Sequence, residues 1–483
     1  MNLEYVSESD ARIARVSDST GRALAFSYDG ANRLIAVTDT AARRVVLNYD
    51  ASLQGMLTSV NFADQSTQQF LYENAYCPRA LTGRLDETGV KVGSYSYDLQ
   101  CSARTTEGAL GTGRFSRSGM ASDVYITDPL GSVYRYLGTA RANRLLPSMS
   151  NQPAGAGCSS ANASNEYDAQ GNLTRSTDVN GRTTDYKFDL TRNLETSRSE
   201  GIGTTQARTV TTSWHPQWRL RSSVAEPLKR VRWVYQGQPD PTANNALASC
   251  LPAGTPLLPN VLPMALVCKR IEQATTDASG AQGFAATATG AARIWSYTYN
   301  ADGQVLSEDG PRAGTVDRTT YRYYAATDTA SVPRYWKGDL ASITNGLGQT
   351  TQFTDYDANG RLLRRVDANG VVTALAYHPR GWLTSQTVTA GALTQATAYE
   401  WWPTGKLRRV TQPDGSFVAY GYDAAQRLTS VADGLGNRID YALDAAGNRV
   451  GEQTKDAGGQ LARQAARVYD ALGRVQSSTG SVQ

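Results

Sequence analysis

Along most of the chain, apolar and polar residues alternate with a period of two. Leu24, Phe26 and Tyr28 are separated by Ala25 and Ser27. Val45, Leu47 and Tyr49 keep the same parity, as do Tyr186 and Phe188, and Trp295, Tyr297 and Tyr299. Such a period puts the rings on one face of a strand and the polar residues on the other. Each run ends in a short phrase, for example Tyr356-Asp357-Ala358-Asn359-Gly360-Arg361-Leu362. The Asp opens a turn by accepting nearby backbone N–H groups, and the Gly supplies the positive φ that closes it. Arg-Leu then opens a return strand, so the unit is a β-hairpin. A second kind of turn lies between these phrases, as in Asp367-Ala368-Asn369-Gly370, Asp414-Gly415 and Asp433-Gly434-Leu435-Gly436. Asn-Gly and Asp-Gly between alternating segments are strong hairpin signals. The pattern therefore predicts an all-β fold of repeated antiparallel hairpins.

The phrase returns at Tyr377 with Gly381, at Trp401, at Tyr422-Asp423, at Leu443-Asp444 with Gly447, and at Tyr469-Asp470 with Gly473. Counted from Tyr356, the first positions lie 21, 24, 21, 21 and 26 residues apart. Upstream copies are Tyr28-Asp29, Tyr49-Asp50, Tyr97-Asp98, Tyr167-Asp168 with Gly171, Phe188-Asp189, and Tyr299 with Gly303. Trp214-His215-Pro216-Gln217-Trp218 is a degenerate copy. Cys101 stands where Gly usually sits after Tyr97, and a distorted turn is expected there. A fixed period near twenty residues means a repeat architecture, and it is half the roughly forty of a propeller blade.

The repeats divide the chain. Residues 1–104 are repeats. Residues 105–165 are irregular, with 107–120 read as a Gly-rich loop and 147–165 as an exposed Pro/Gly/Ser-rich connection. Repeats return over 166–235. A Pro/Ala/Thr-rich insertion over 236–292 is expected to leave the sheet or to be a mobile loop. Residues 293–483 are repeats again.

Composition changes this picture in few places. With 48 basic and 44 acidic residues the net charge is +4, and no block of like charge marks a nucleic-acid surface. Tyr is abundant, 26 residues against 8 Phe. Its ring packs on a half-buried face while its hydroxyl reaches water or a partner, a choice that suits a wet interior. Arg often follows the turn Gly, as at Arg22, Arg182, Arg361 and Arg474, where it is expected to stack on Tyr rings and pair with turn Asp residues. No run of about eighteen apolar residues occurs. The most apolar piece, Leu257 to Val267, is interrupted by Pro259 and Pro263. The polar start at Met1 enters a repeat directly, which reads as an internal piece of a longer protein or a truncated gene.

Candidate chemistry is sparse. The two histidines, His215 and His378, both occupy the acid position of a repeat and read as turn formers. Asp357, Asp367 and Asp178 each begin an Asp-x-Asn-Gly stretch resembling the start of a calcium loop. With the Asp counted as the first position, the twelfth is Ala368 for Asp357 and His378 for Asp367, where a Glu is required. No catalytic residue, metal site or cofactor is predicted. Of five cysteines, Cys250 and Cys268 flank the Pro-rich part of the insertion and are the candidate disulfide.

With so many Tyr-Asp-x-x-Gly-Arg-Leu phrases at near-constant spacing, the chain resembles the Tyr-Asp repeats of the RHS family, which include teneurin shells and large insecticidal toxin components. The resemblance implies one long β-sheet coiled into a hollow shell around a toxic C-terminal domain. It implies a secreted or cell-surface setting as part of a longer protein, with the remaining shell repeats and a C-terminal effector as partners. The family's aspartyl self-cleavage site follows a core motif not found here, so no catalytic role carries over to any residue. The expected function is a non-catalytic shell segment that encapsulates and helps deliver a linked toxin in interbacterial competition. The alternative is a cell-surface carbohydrate-binding or adhesion protein, with Trp214, Trp218, Trp401 and Trp402 stacking on sugars.

Overall fold

A computed structural model describes residues 2–50, 55–120, 122–259, 261–330 and 334–482. Among these, 38 strands form one sheet and two more a separate small hairpin. Pairing is antiparallel and follows chain order, from Asn2–Ser7 against Asp10–Ser17 to Leu461–Tyr469 against Val475–Val482. The sheet is not closed, because each end strand has a partner on one side only. No helix among the described residues is long and apolar enough to cross a membrane.

The hairpins share one irregularity. Tyr28 faces Leu34, but Ser27 faces Ala36, so Ile35 is an extra residue in the return strand. The same shift falls before Tyr49, Tyr167, Phe188, Tyr299, Tyr377, Tyr422, Leu443 and Tyr469. A β-bulge bends its strand and increases the local twist. One bulge per repeat, always at the same end, gives the ribbon a steady curvature.

The segments that break the repeat pattern mostly stay in the sheet. Residues 107–120 hold a short helical turn at Ala109–Gly111 and then the strand Phe115–Met120. Strands Arg144–Gln152 and Ala161–Tyr167 reduce the expected connection to residues 153–160. The insertion also rejoins the sheet: Lys229–Tyr235 pairs directly with Val267–Thr275, which pairs with Ala288–Tyr299. Residues 276–287 form a connection with a short helical turn at Gly283–Ala285, and 236–266 leave the sheet, carrying the small hairpin Pro239–Asp240 with Ala246–Leu247. This excursion is tied down. Cys250 and Cys268 are bonded to each other and cluster with buried Tyr299. Cys250 O accepts from Tyr299 N at 2.9 Å, and Lys269 pairs with buried Asp240 at 2.6 Å. Within the apolar piece 257–267, Asn260 lies outside the described residues.

The ribbon coils back upon itself. Arg22 Nη2 donates to both oxygens of Asp339 at 2.6 and 2.7 Å. Asn359 Nδ2 donates to Asp39 at 2.6 Å, Gln426 Nε2 to Asp86 at 2.8 Å, and Ser132 Oγ to Ala471 O at 3.0 Å. These partners lie 317, 320, 340 and 339 residues apart. So constant an offset is the length of one circuit. Twenty-three strands of the main sheet run between Arg22 and Asp339. At about 4.8 Å per strand the circuit is about 110 Å. Residues beyond about 336 form a second layer seated on the first.

Candidate functional site

The described Tyr-Asp turns share one kind of clasp, complete where an Arg follows the fourth turn position. At Asp29, Oδ1 accepts the backbone N–H groups of Ala31 and Arg33, each at 2.9 Å, and Oδ2 accepts Arg33 Nε at 2.8 Å. Asp357 and Asp470 repeat all three bonds with their own second and fourth neighbours, including Arg361 Nε at 2.6 Å and Arg474 Nε at 2.9 Å. Asp423 holds Arg427 through N and Nε. Asp98 accepts from Gln100 and Ser102, Asp168 and Asp444 each hold an Asn four residues on, and Asp189 accepts from Thr191. At Asp50 the carbonyl accepts Gly55 N at 3.0 Å, and residues 51–54 lie outside the described residues. Side-chain bonds from Arg474 come first in holding the Asp470 carboxyl down at about 2.

The Arg that completes the clasp also covers the next ring. Arg33 lies 4.9 Å over Tyr49 and Arg361 4.9 Å over Tyr377. The fourth turn position takes positive φ, with Gly171, Gly303, Gly360, Gly381, Gly447 and Gly473 between 70° and 97°. Asn32 and Gln426 take the same conformation without glycine. So does Cys101, at φ 59°, and its N–H bonds Asp98 O at 3.0 Å. The turn after Tyr97 is therefore undistorted. Its cysteine is bonded to Cys77, a pairing that residue spacing did not single out.

The tyrosine hydroxyls act as cross-hairpin ties. Tyr49 donates to Leu34 O at 2.8 Å, Tyr28 to Ile13 O at 2.9 Å, Tyr299 to Val267 O at 2.8 Å and Tyr356 to Leu340 O at 2.6 Å. Tyr97, Tyr167 and Tyr469 do likewise. The carbonyl acceptor lies one hairpin back, so the preference for Tyr over Phe has a backbone cause and needs no wet cavity. Burial pushes the Tyr299 phenol up to about 12, and Tyr356 higher still. Trp214 and Trp401 stand in for Tyr: their indole N–H groups bond Glu195 O at 2.8 Å and Leu383 O at 2.7 Å. Two of the four tryptophans considered for sugar stacking are thus engaged within the wall.

Histidine substitutes for the turn acid by the same geometry. His215 Nδ1 accepts the N–H groups of Gln217 and Trp218 at 3.2 Å, and His378 Nδ1 accepts Arg380 N at 3.3 Å. Burial pushes the His215 imidazole below its ordinary value.

The structure brings together residues that spacing left apart. Turns of the second layer, with Asp357, Asp423 and Asp470, sit on the alternate turns of the first. Arg380 pairs with almost fully buried Glu87 at 2.8 Å, and its guanidinium lies 4.0 Å over Phe62 and 4.7 Å over Trp382. Ala156 N donates to Asp470 Oδ2 at 3.1 Å. Among the described residues, the carboxylates of the first-layer turns at Asp29, Asp98, Asp168 and Asp189 accept hydrogen bonds from their own turns. Among the described residues no three His, Cys, Asp or Glu side chains converge as a metal cluster. The turn carboxylates are instead saturated by backbone N–H groups and Arg, which suits them to hold shape.

The RHS Repeat family model matches residues 10–45, 167–205, 356–393, 401–438 and 423–461. Over 122 residues the chain is 32% identical to Double-stranded DNA deaminase toxin A of Burkholderia cenocepacia (strain H111), a stretch covering 25% of this chain and 8% of that protein. Its fold is similar to the crystal structure of TcdB2-TccC3-Cdc42, with a TM-score of 0.59 and 12% identity over 95% of this chain. It is similar too to TcdB2-TccC3-TEV, with a TM-score of 0.56 and 16% identity over 99% of this chain. The chain spans 26% and 25% of those two structures.

Proposed function

We propose that this chain, whose repeats match the RHS Repeat family model, has a structural part: it is a section of a shell wall that encloses a linked polypeptide and helps deliver it. The observation that carries this reading is the circuit. A sheet that returns on itself after about 320 residues, layer on layer, makes a wall rather than a slab. The clasps, rings and hydroxyl ties all serve that wall, and among the described residues the turn acids do not converge with His, Cys or other acids as a metal cluster. We therefore read the chain as non-catalytic. Its partners would be further shell repeats and a C-terminal effector. The deaminase named for the Burkholderia protein is not assigned to this chain, which matches a small part of that protein.

The test is protease protection. A flexible, cleavable polypeptide fused after Gln483 should be digested several-fold more slowly than the same polypeptide free in solution. Equal digestion rates, together with saturable binding of this chain to a glycan array, would replace the shell reading with the adhesion reading.

A further inference from the structure

In the seam between the two layers, one turn of the second layer stands apart. Its neighbours bond across: Asn359 donates to Asp39, Arg43 to Pro379 O, Gln426 to Asp86, Gly113 N to Ala445 O and Ser132 to Ala471 O. Arg380 pairs across the seam with Glu87. The turn Trp402-Pro403-Thr404-Gly405 closes on its own backbone, with Trp402 N to Lys406 O and Gly405 N to Trp402 O both at 2.8 Å. Trp402 holds the acid position, so the turn has no carboxylate clasp. Pro403 O accepts Arg380 Nη1 at 2.7 Å, within the same layer. Among the described residues, this turn makes no hydrogen bond or ion pair to the first layer. A cavity of about 200 Å³ opens there, between this turn, the next one at 422–426 and the first-layer turn at 86–90. Trp402 lines it with 38% of its surface exposed. Lys406, Thr404 and Tyr422 line it too, and their ammonium and hydroxyl groups have no partner among the described residues. Asp86 forms the floor. Its Oδ1 accepts Thr88 N, Thr88 Oγ1 and Val90 N, whereas Oδ2 accepts a single bond, from Gln426. The neighbouring carboxylate of Asp423 is taken up by Arg427. One ammonium and one carboxylate are therefore the charges the cavity offers.

We propose that this seam cavity is a binding site for one neutral pyranose ring of a glycan. A mostly apolar wall with a few convergent polar groups is the usual make-up of a small-ligand site. A sugar ring is amphipathic in the same sense. Its C–H face packs on the indole of Trp402, while its hydroxyls donate to Asp86 Oδ2 and accept from Lys406. The hydroxyls of Thr404 and Tyr422 can do either. A charged ligand would leave Lys406 or Asp86 unmatched, which is why the ring is neutral. The site stands beside the wall reading and does not rest on it: a fused polypeptide can be protected whether or not this cavity is filled.

Saturation-transfer NMR on the whole chain tests this, with the methyl glycosides of glucose, galactose, mannose and N-acetylglucosamine as probes. At least one should receive saturation on its ring C–H protons and titrate to a millimolar Kd. Trp402→Ala should weaken that binding by about tenfold or more, the worth of one stacked ring. Trp402→Phe keeps a ring and should keep the signal. Lys406→Met should weaken binding severalfold while leaving the turn backbone as it is, and far-ultraviolet dichroism matching the wild type checks the fold of each variant. No transfer to any of these glycosides in the wild type would overturn the proposal. So would binding that both Trp402→Ala and Lys406→Met retain, since the sugar would then lie elsewhere on the wall. Glucuronate binding more tightly than methyl glucoside would overturn the assignment of a neutral ring.

Discussion

A phenol that reaches a carbonyl one hairpin away does what a phenyl ring cannot. Tyr356→Phe removes the bond to Leu340 O and should cost about 1 kcal/mol in urea unfolding, the net worth of one such bond. Tyr422→Phe is the control. Its hydroxyl has no hydrogen-bond partner among the described residues, and the change should stay within about 0.5 kcal/mol. Burial holds the Tyr299 phenol at about 12, so the folded state resists ionisation that the unfolded chain accepts near 10. That contribution is whole below pH 10 and is lost as pH rises toward 12. Histidine reports at the acid end. His215 needs a bare Nδ1 to accept two N–H groups, and burial depresses its protonation. Its contribution is whole above the unfolded value near 6.5 and is lost as pH falls. The melting temperature should drop between pH 7 and pH 5, and His215→Asn, which keeps an acceptor, should remove that part of the drop.

At the scale of the element, the hairpins were legible because period two and the Asp-to-Gly turns are local signals. The bulge was not. It adds one residue to the return strand without changing any residue type, so Ile35 looks like an ordinary strand position. Segments 107–120 and 147–165 read as loops from Gly, Pro and Ser content. The strands Phe115–Met120 and Ala161–Tyr167 form there because a neighbouring strand supplies hydrogen bonds that composition cannot show. The cysteines divide in the same way. Cys250 and Cys268 flank one insertion, whereas Cys101 sits inside a repeat turn and its partner Cys77 in the preceding irregular stretch. Peptide mapping without reductant, on protein made in an oxidising compartment, should find Cys77 linked to Cys101 and Cys250 to Cys268. Cys158 should be the one thiol that alkylates. Losing the Cys250–Cys268 bond through Cys250→Ser should cost about 2–3 kcal/mol in the stability of the 236–299 region, as expected for a loop of that size.

At the scale of the whole molecule, the coil was beyond the reach of pattern. Its contacts join residues more than 300 positions apart, and nothing in either turn names the other. The seam is also where single changes should act furthest. Arg22→Ala would leave the nearly buried Asp339 carboxylate with Trp336 N as its one close donor among the described residues, a loss of about 3 kcal/mol by the measure of broken buried pairs. The remaining seam acids predict a response to pH. At Asp39, burial pushes the carboxyl up, but the bonds from Arg43 and Asn359 outweigh it and hold it below its ordinary value. At Asp86, burial is likewise outweighed, by Thr88 and Gln426. A depressed carboxylate contributes fully above the unfolded value near 3.9 and loses that contribution as pH falls below it. The strand ladders carry no such charge, so acid should loosen the joint between layers before it melts the hairpins. Hydrogen exchange, corrected for intrinsic rates, should show the seam amide of Gly113, bonded to Ala445 O at 2.7 Å, losing protection by pH 3. Amides between Leu393–Trp401 and Leu407–Thr411 should stay protected at that pH. Seam protection that persists unchanged to pH 2 would mean that the layers are held by packing and backbone contacts, and not by these carboxylates.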